Sequence, residues 1–261
     1  MDRVVEAAKA IAAARRARER LKRLSPDVAP RDEAEGYLVQ RAMHDLLLPQ
    51  TGALVGYKIG CTSSVMQDYL KIPHPCAGGV FERGVHQSGV KLSASDFVCV
   101  GVECEIAVRL SRDLVASEAP FTAEWVGEAI EAYAPAIEIV DDRYEQWETL
   151  GAPTLVADDF FAAACVLGEP IARGEAPDVR EVAARALVNG TEVGTGRGAD
   201  VLGHPHNALA WLANHLAAEG KSLHQGQIVL TGSLIKTVWL KAGDRVAMEL
   251  AGLGKVEAEF A

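Results

Sequence analysis

Two periodicities divide the chain near residue 50. Before it, apolar side chains recur at helical spacing; after it, they alternate every second residue or gather in short runs between glycines. Val4, Val5, Ala8, Ile11, Ala12 and Leu21 predict a helix over 2–24, ended by Ser25-Pro26, with Arg and Lys in its last turns, where the helix dipole favours cations. Asp32 with Glu35 reads as a capping box. It opens a second helix whose apolar face carries Tyr37, Val39, Met43, Leu46, Leu47 and Leu48, and Pro49 is expected to stop it. Beyond residue 52, β-type runs are predicted at 53–59, 97–110, 134–140, 184–194, 227–232, 235–241, 244–250 and 255–260, with a hairpin at Asn189-Gly190. Helices are predicted at 64–70, 122–133 and 205–218, the last with Pro205 in its first turn and Gly220 as its stop. The stretch 169–180 reads as a surface loop. Strands outnumber helices and no G-x-G-x-x-G follows a strand. The expected class is therefore α+β, a mixed and largely antiparallel β-fold with helices around it, rather than a Rossmann sheet. A helical region at 1–50 would pack on a main body spanning 51–261.

The clearest alternation lies between Val98 and Leu110. Even positions read Val, Val, Val, Cys, Ile, Val, Leu, so one face of this strand is wholly apolar. On the other face Glu103 and Glu105 point the same way, two residues apart. Like charges that close repel unless something positive lies between them, and a divalent cation would serve. A solvated face, with Glu105 neutralised by Arg109 or a cross-strand lysine, satisfies the same pattern.

Other charged groups sit in apolar surroundings. Lys58 lies in Leu54-Val55-Gly56-Tyr57-Lys58-Ile59-Gly60. Buried there, its pKa would drop and it could transfer a proton or grip a carboxylate; on an edge strand it would simply face water. Glu138 interrupts the apolar run 134–140, where a carboxylate must be paired, hydrogen-bonded or metal-bound. Three carboxylates on two strands suit the hard oxygen preference of Mg²⁺ or Mn²⁺. Zinc fits less well, because the seven His form no H-x-x-x-H or H-E-x-x-H pattern. Thr231-Gly232-Ser233 closes an apolar run and is either an ordinary turn or a backbone cradle for a carboxylate. No G-x-S-x-G elbow occurs, and no Cys sits in a nucleophile motif, although Cys61 lies near Lys58 in the sequence.

Composition narrows the setting. The formal charge of −10 disfavours nucleic acid and anionic membranes as partners. No apolar run approaches the ~18 residues of a membrane span, and the charged, Ala-rich start is unlike a secretory signal. Five cysteines without a CxxC point to a reduced, cytoplasmic protein.

Taken in order, several segments resemble the 2-keto-4-pentenoate hydratase family, which includes 4-oxalocrotonate decarboxylases and belongs to the fumarylacetoacetate hydrolase superfamily. They are Gly56-Tyr57-Lys58-Ile59-Gly60-Cys61-Thr62-Ser63, Glu103-Cys104-Glu105, Ala136 to Arg143, Val156-Ala157-Asp158-Asp159, Asn189-Gly190 and Thr231-Gly232-Ser233-Leu234. The resemblance runs from about residue 35 to the end. It implies the β-sandwich or roll of the fumarylacetoacetate hydrolase C-terminal domain, and a Mg²⁺ or Mn²⁺ site with Glu103, Glu105 and Glu138 as ligands. It further implies Lys58 and Ser233 as catalytic groups, with Lys58, Ser63, Gly232 and Ser233 binding a small α-keto or 2-hydroxydienoic acid. The implied reaction is hydration of a 2-hydroxy-2,4-dienoate to a 4-hydroxy-2-oxo acid in the breakdown of aromatic compounds. Alternatives are decarboxylation of a 2-oxo-3-enedioate and C–C hydrolysis of an acylpyruvate, for which His74 and Glu82 are the nearby candidates. A homo-oligomer is expected, with a decarboxylase, hydratase or aldolase of the same route as a further partner. The chain departs from the family at His74-Pro75-Cys76-Ala77-Gly78-Gly79, where many hydratases carry an acid, and at Asp159, where Asn is commoner.

Overall fold

A computed structural model describes residues 2–261. Six helices are α1 (Arg3–Ala17), α2 (Glu33–Thr51), α3 (Ser64–Leu70), α4 (Ala123–Glu128), α5 (Ala152–Ala157) and α6 (Pro205–Ala218). The first strands are β1 (Leu54–Gly60), β2 (Cys76–Phe81), β3 (Val85–Gln87), β4 (Val90–Leu92), β5 (Val100–Leu110), β6 (Ile130–Asp141) and β7 (Ala162–Leu167). They are followed by β8 (Ile171–Ala172), β9 (Ala183–Val188), β10 (Thr191–Arg197), β11 (Ile228–Ser233), β12 (Val238–Trp239), β13 (Asp244–Leu250) and β14 (Gly254–Phe260).

A nine-stranded sheet runs β2-β1-β11-β5-β6-β7-β3, with β12 joined to β5 and β8 to β6; a five-stranded sheet runs β10-β9-β13-β14-β4. Pairing is antiparallel except for β1 with β11, β3 with β7 and β4 with β14. In the larger sheet β2 and β7 touch without sharing a ladder, so the sheet curls towards closure. One of its faces joins the main core through Val102, Cys104, Ile106, Val108, Ile137 and Ile139. The other encloses a small apolar cluster of Val80, Ala107, Ala134, Ala136, Cys165 and Leu230. Alternation along β5 and β6 therefore separates two interiors over most of their length, and the polar face of β5 is buried at Glu105 while Arg109 stays exposed.

Tertiary pairing overrode several local patterns. The first helix ends at Ala17, not near 24, because Arg18 turns left-handed and Leu21 is drawn into a bridge with Tyr144, with its N–H donating to the Arg143 carbonyl. The second helix passes Pro49 and ends at Thr51: a proline in the last turn forfeits one hydrogen bond, and Gly52 N–H still reaches the Leu48 carbonyl. The helix predicted over 122–133 occupies only α4, because residues from Ile130 onward pair with β5. The run 235–241 keeps only the two residues of β12. The glycine-broken β2 and the alanine-rich β7 had no predictive pattern. Residues Ala7, Ala8, Ile11 and Val39, from α1 and α2, belong to the same core cluster as β5. No helix among the described residues is long and apolar enough to cross a membrane.

Candidate metal centre

The three carboxylates meet because of register. Glu103 on β5 lies directly opposite Glu138 on β6, and Glu105 lies opposite Ser233 on β11. One oxygen from each of Glu103, Glu105 and Glu138 falls within 4.8 Å of the others, the only such grouping found among the described residues. Glu105 and Glu138 are fully buried, whereas Glu103 keeps some access to solvent. Lys58, on β1 and 2% exposed, brings its Nζ to 2.9 Å from Glu138 Oε1. Apart from that ion pair, both Glu138 oxygens and Glu105 Oε1 lack a hydrogen-bond partner.

Three negative charges and one ammonium do not balance in a buried space. Burial, reinforced by Glu138, lifts the Glu103 carboxyl to about 7, against the pull of Lys58 and Thr237. Burial, then Glu138 and Glu103, lift Glu105 well above the ordinary carboxylate range. Lys58 behaves opposite to the expectation of a lowered pKa. Burial does depress it, but Glu138, Glu103 and Glu105 together outweigh burial and hold it above the usual amine range. Buried carboxylate oxygens short of donors, all hard ligands, fit a divalent oxophilic cation, whose charge would reverse this local logic. The Cys104 and Cys165 thiols nearby are pushed up to about 12, chiefly by burial. They offer no thiolates to a softer metal.

The remaining predicted residues have specific tasks. Gly232, at φ +121°, turns its N–H onto Glu105 Oε2 at 2.8 Å. An added Cβ there would come within 2.5 Å of the Thr62 side chain, so only glycine permits this approach. Ser233 donates its hydroxyl to the Ile235 carbonyl at 2.8 Å. Ser63 is exposed and caps α3 by accepting the Met66 N–H, which sets it apart from the carboxylate cluster. His74 lies at 3.2 Å from Glu33 and is remote in its contacts from Glu82, so the pair expected of a C–C hydrolase is not assembled. Residues 76–79 of the family-divergent stretch form the start of the buried β2.

Sequence reasoning missed three neighbours of the cluster. Thr237 donates a hydrogen bond to Glu103 Oε1, Thr62 packs against Gly232, and the Phe160 ring stands 5.6 Å from Lys58 Nζ. Thr62 lay in the family-like segment and Thr237 in the predicted run 235–241, yet neither residue was singled out. Asp159, beside Phe160, accepts from Gly79 N–H at 2.9 Å and lies 2.7 Å from His44 Nε2. Burial opposes its ionisation, but His44, Arg15 and Gly79 prevail and hold it at about 2. A cavity of about 360 Å³ reaches Lys58, Glu138 and Asp159 from the gap between β2 and β7, with Arg15, Arg18 and Arg83 in its wall. A concavity of similar size on the smaller sheet shares no residue with the site.

The model of the fumarylacetoacetate hydrolase C-terminal family matches residues 84–261. A 2-keto-4-pentenoate hydratase of Burkholderia vietnamiensis is 35% identical over 235 residues, covering 90% of this chain and 88% of that protein. The chain belongs to the 2-keto-4-pentenoate hydratase family of the fumarylacetoacetate hydrolase superfamily. Within this hydratase family, a 2-hydroxyhexa-2,4-dienoate hydratase of Comamonas testosteroni is also 35% identical, over 84% of this chain and 83% of its own. Among solved structures, 4-oxalocrotonate decarboxylase from Pseudomonas putida G7, complexed with magnesium and adipate, superposes with a TM-score of 0.92 at 27% identity. That match covers 99% of this chain and 97% of the decarboxylase. The fold expected from the family resemblance is thus the fold found. Lys58 and Thr62, which border the cluster, and Ser63, which does not, all lie outside the span matched by the family model.

Proposed function

We propose that the protein is a lyase that hydrates a 2-hydroxy-2,4-dienoate to a 4-hydroxy-2-oxo acid, of the 2-hydroxypenta-2,4-dienoate type. The observation that carries this reading is the cluster of three carboxylates whose buried oxygens find no hydrogen-bond partner beyond the ion pair with a buried lysine. The hydratase names of the relatives at 35% identity supply the reaction class.

Glu103, Glu105 and Glu138 would hold Mg²⁺ or Mn²⁺. When bound, such an ion supplies Lewis acidity that stabilises negative charge on the 2-oxygen of an α-keto acid. The chain's own residues do the rest. Gly232 N–H fixes the Glu105 carboxylate, and the Thr237 hydroxyl fixes Glu103. Lys58 holds the substrate carboxylate and moves a proton at its Nζ as the dienol becomes the ketone. Ser233, one residue beyond Gly232, completes the carboxylate end by donating its hydroxyl to the substrate carboxylate after rotating away from the Ile235 carbonyl. Ser63 keeps a place in the proposed pocket only through the turn it caps. Leu230 and Phe160 give Lys58 apolar flanks where the cavity reaches it. In balance, water adds across the dienoate and no other product leaves.

One observation favours a second reading, decarboxylation of a 2-oxo-3-enedioate. β2 carries no acid that could orient water, and the decarboxylase superposes over nearly the whole chain. Ultraviolet loss of freshly generated 2-hydroxypentadienoate and of 2-oxohex-3-enedioate, with CO₂ measured in parallel and Mg²⁺ or Mn²⁺ present, separates the two. Consumption of the pentadienoate without CO₂ supports hydration; CO₂ release from the enedioate alone replaces it. A cytoplasmic homo-oligomer, associating with an enzyme of the same route, completes the proposal. The exposed Val5, Leu38 and Leu48 of α1 and α2 support self-association, and five free cysteines support a reducing compartment.

A further inference from the structure

Asp159, Phe160 and Phe161 are three consecutive non-glycine residues in the left-handed region, at φ 54°, 49° and 69°. L-residues visit that region singly and at a steric cost, so a run of three must be held by its surroundings. It is held from four separate elements. Arg15 of α1 pairs with the Asp158 carboxylate and donates to the Asp158 carbonyl at 2.8 Å. Arg143, beyond β6, donates to Asp158 Oδ2 at 3.0 Å and to the Phe161 carbonyl at 3.4 Å. His44 of α2 and Gly79 of β2 hold Asp159. Gly78 lets this turn close in: a Cβ there would lie 2.9 Å from the Asp159 carbonyl and 3.3 Å from Lys58 Cγ. Phe160 is thereby clamped on both sides, with its ring 5.6 Å from the Lys58 ammonium. A cation is attracted to an aromatic face at that range, most strongly where water is excluded.

We propose that Asp158–Phe161 is a strained strap that sets the position of the Lys58 ammonium through Phe160, and that Arg15 of the N-terminal helix is a positioning residue for the reaction. The catalytic consequence rests on Lys58 acting at the substrate, as proposed above; the structural consequence does not. An arginine some 140 residues away in sequence thus couples the first helix to the cluster. The charge of Arg15 serves this end rather than attraction of an anion from solvent, because its guanidinium is already committed to Asp158 and Asp159.

The test compares Phe160→Ala, Phe160→Tyr, Arg15→Gln and Arg15→Lys in the full-length protein, with melting curves as the check on folding. Competitive acetylation with acetic anhydride, read by mass spectrometry, reports the accessibility of Lys58 without reference to turnover. The wild type should leave Lys58 labelled at least ~10-fold more slowly than the exposed lysines, because it is 2% exposed. Phe160→Ala and Arg15→Gln should each raise Lys58 labelling about 5-fold or more, and Phe160→Tyr and Arg15→Lys should restore most of the protection. With substrate, the first two variants should lose about 10-fold or more in kcat/KM, divided between a lower kcat and a higher KM, because Lys58 is proposed both to move the proton and to hold the substrate carboxylate. Unchanged labelling in both folded variants overturns the strap. Increased labelling in Phe160→Ala but not in Arg15→Gln overturns the role of Arg15. If the wild type turns over neither dienoate while labelling responds as expected, the proposed reaction falls and the strap stands.

Discussion

Glu103→Gln should stabilise the cation-free protein above neutral pH. In the folded chain the Glu103 carboxyl is lifted from 4.5 to about 7 by burial and by Glu138. That rise corresponds to roughly 3 kcal/mol of folding free energy opposed by the ionised form. Its sign follows from proton counting. A carboxyl whose folded pKa exceeds its unfolded value binds more protons when folded, so its contribution to stability is fully present below about pH 4.5 and is lost as pH rises through about 7. A glutamine carries no charge and its amide oxygen can still accept the Thr237 hydroxyl, though it gives up attraction to Lys58. The net gain at pH 8 should therefore be about 1–3 kcal/mol, vanishing near pH 5. Saturating Mn²⁺ should invert the order. At a hundredfold excess over Kd the wild type gains about 2.7 kcal/mol, and the variant, missing a ligand, gains far less. Urea unfolding at fixed protein concentration, with chelator or with Mn²⁺, at pH 5 and pH 8, reads all four quantities. A Gln variant that is less stable than wild type in chelator at both pH values would refute the claim that these carboxylates repel one another.

Three further outcomes follow from the same geometry. Lys58→Met should lower turnover by at least ~100-fold, as loss of a proton-transfer group does, while Mn²⁺ affinity measured by calorimetry changes by less than tenfold, because the lysine is no ligand. Gly232→Ala should destabilise the protein by about 2 kcal/mol or more and weaken Mn²⁺ binding, since its Cβ would collide with Thr62 and turn the Gly232 N–H off Glu105; thermal unfolding and calorimetry report each part. Arg143→Met should cost roughly 3–5 kcal/mol in urea unfolding. It would leave Asp158, 1% exposed, with Arg15 as its remaining cation.

The sequence showed the strand face of Glu103 and Glu105 clearly, because period two is a local property. It showed that Glu138 needed an explanation, because a carboxylate in an apolar run always does. What joined them was register: Glu103 faces Glu138 only in one alignment of β5 with β6, and no pattern within either strand fixes that alignment. The reading of Lys58 went wrong in pKa for the same reason. Burial was legible from its flanks, whereas three carboxylates around it were a tertiary fact. β2 and β7 escaped notice because they are built largely from Gly, Ala and Cys, residues that fit a crowded interior but carry little strand preference. Phe160 was invisible since its importance arises from a backbone conformation that phenylalanine seldom adopts.

The parallel pairing of β1 with β11 has a bearing on how the molecule comes to exist. Gly56 finds its partner at Ile228, so Lys58 and Gly232 reach the carboxylates only after nearly the whole chain has been made. The β5–β6 pair closes a much shorter loop and can form early, bringing Glu103 against Glu138 with no lysine yet beside them. The nascent protein thus carries its least comfortable contact first and its remedy last. All three carboxylates lie on β5 and β6, so a cation can meet them as soon as that pair forms. It should speed folding as well as slow unfolding.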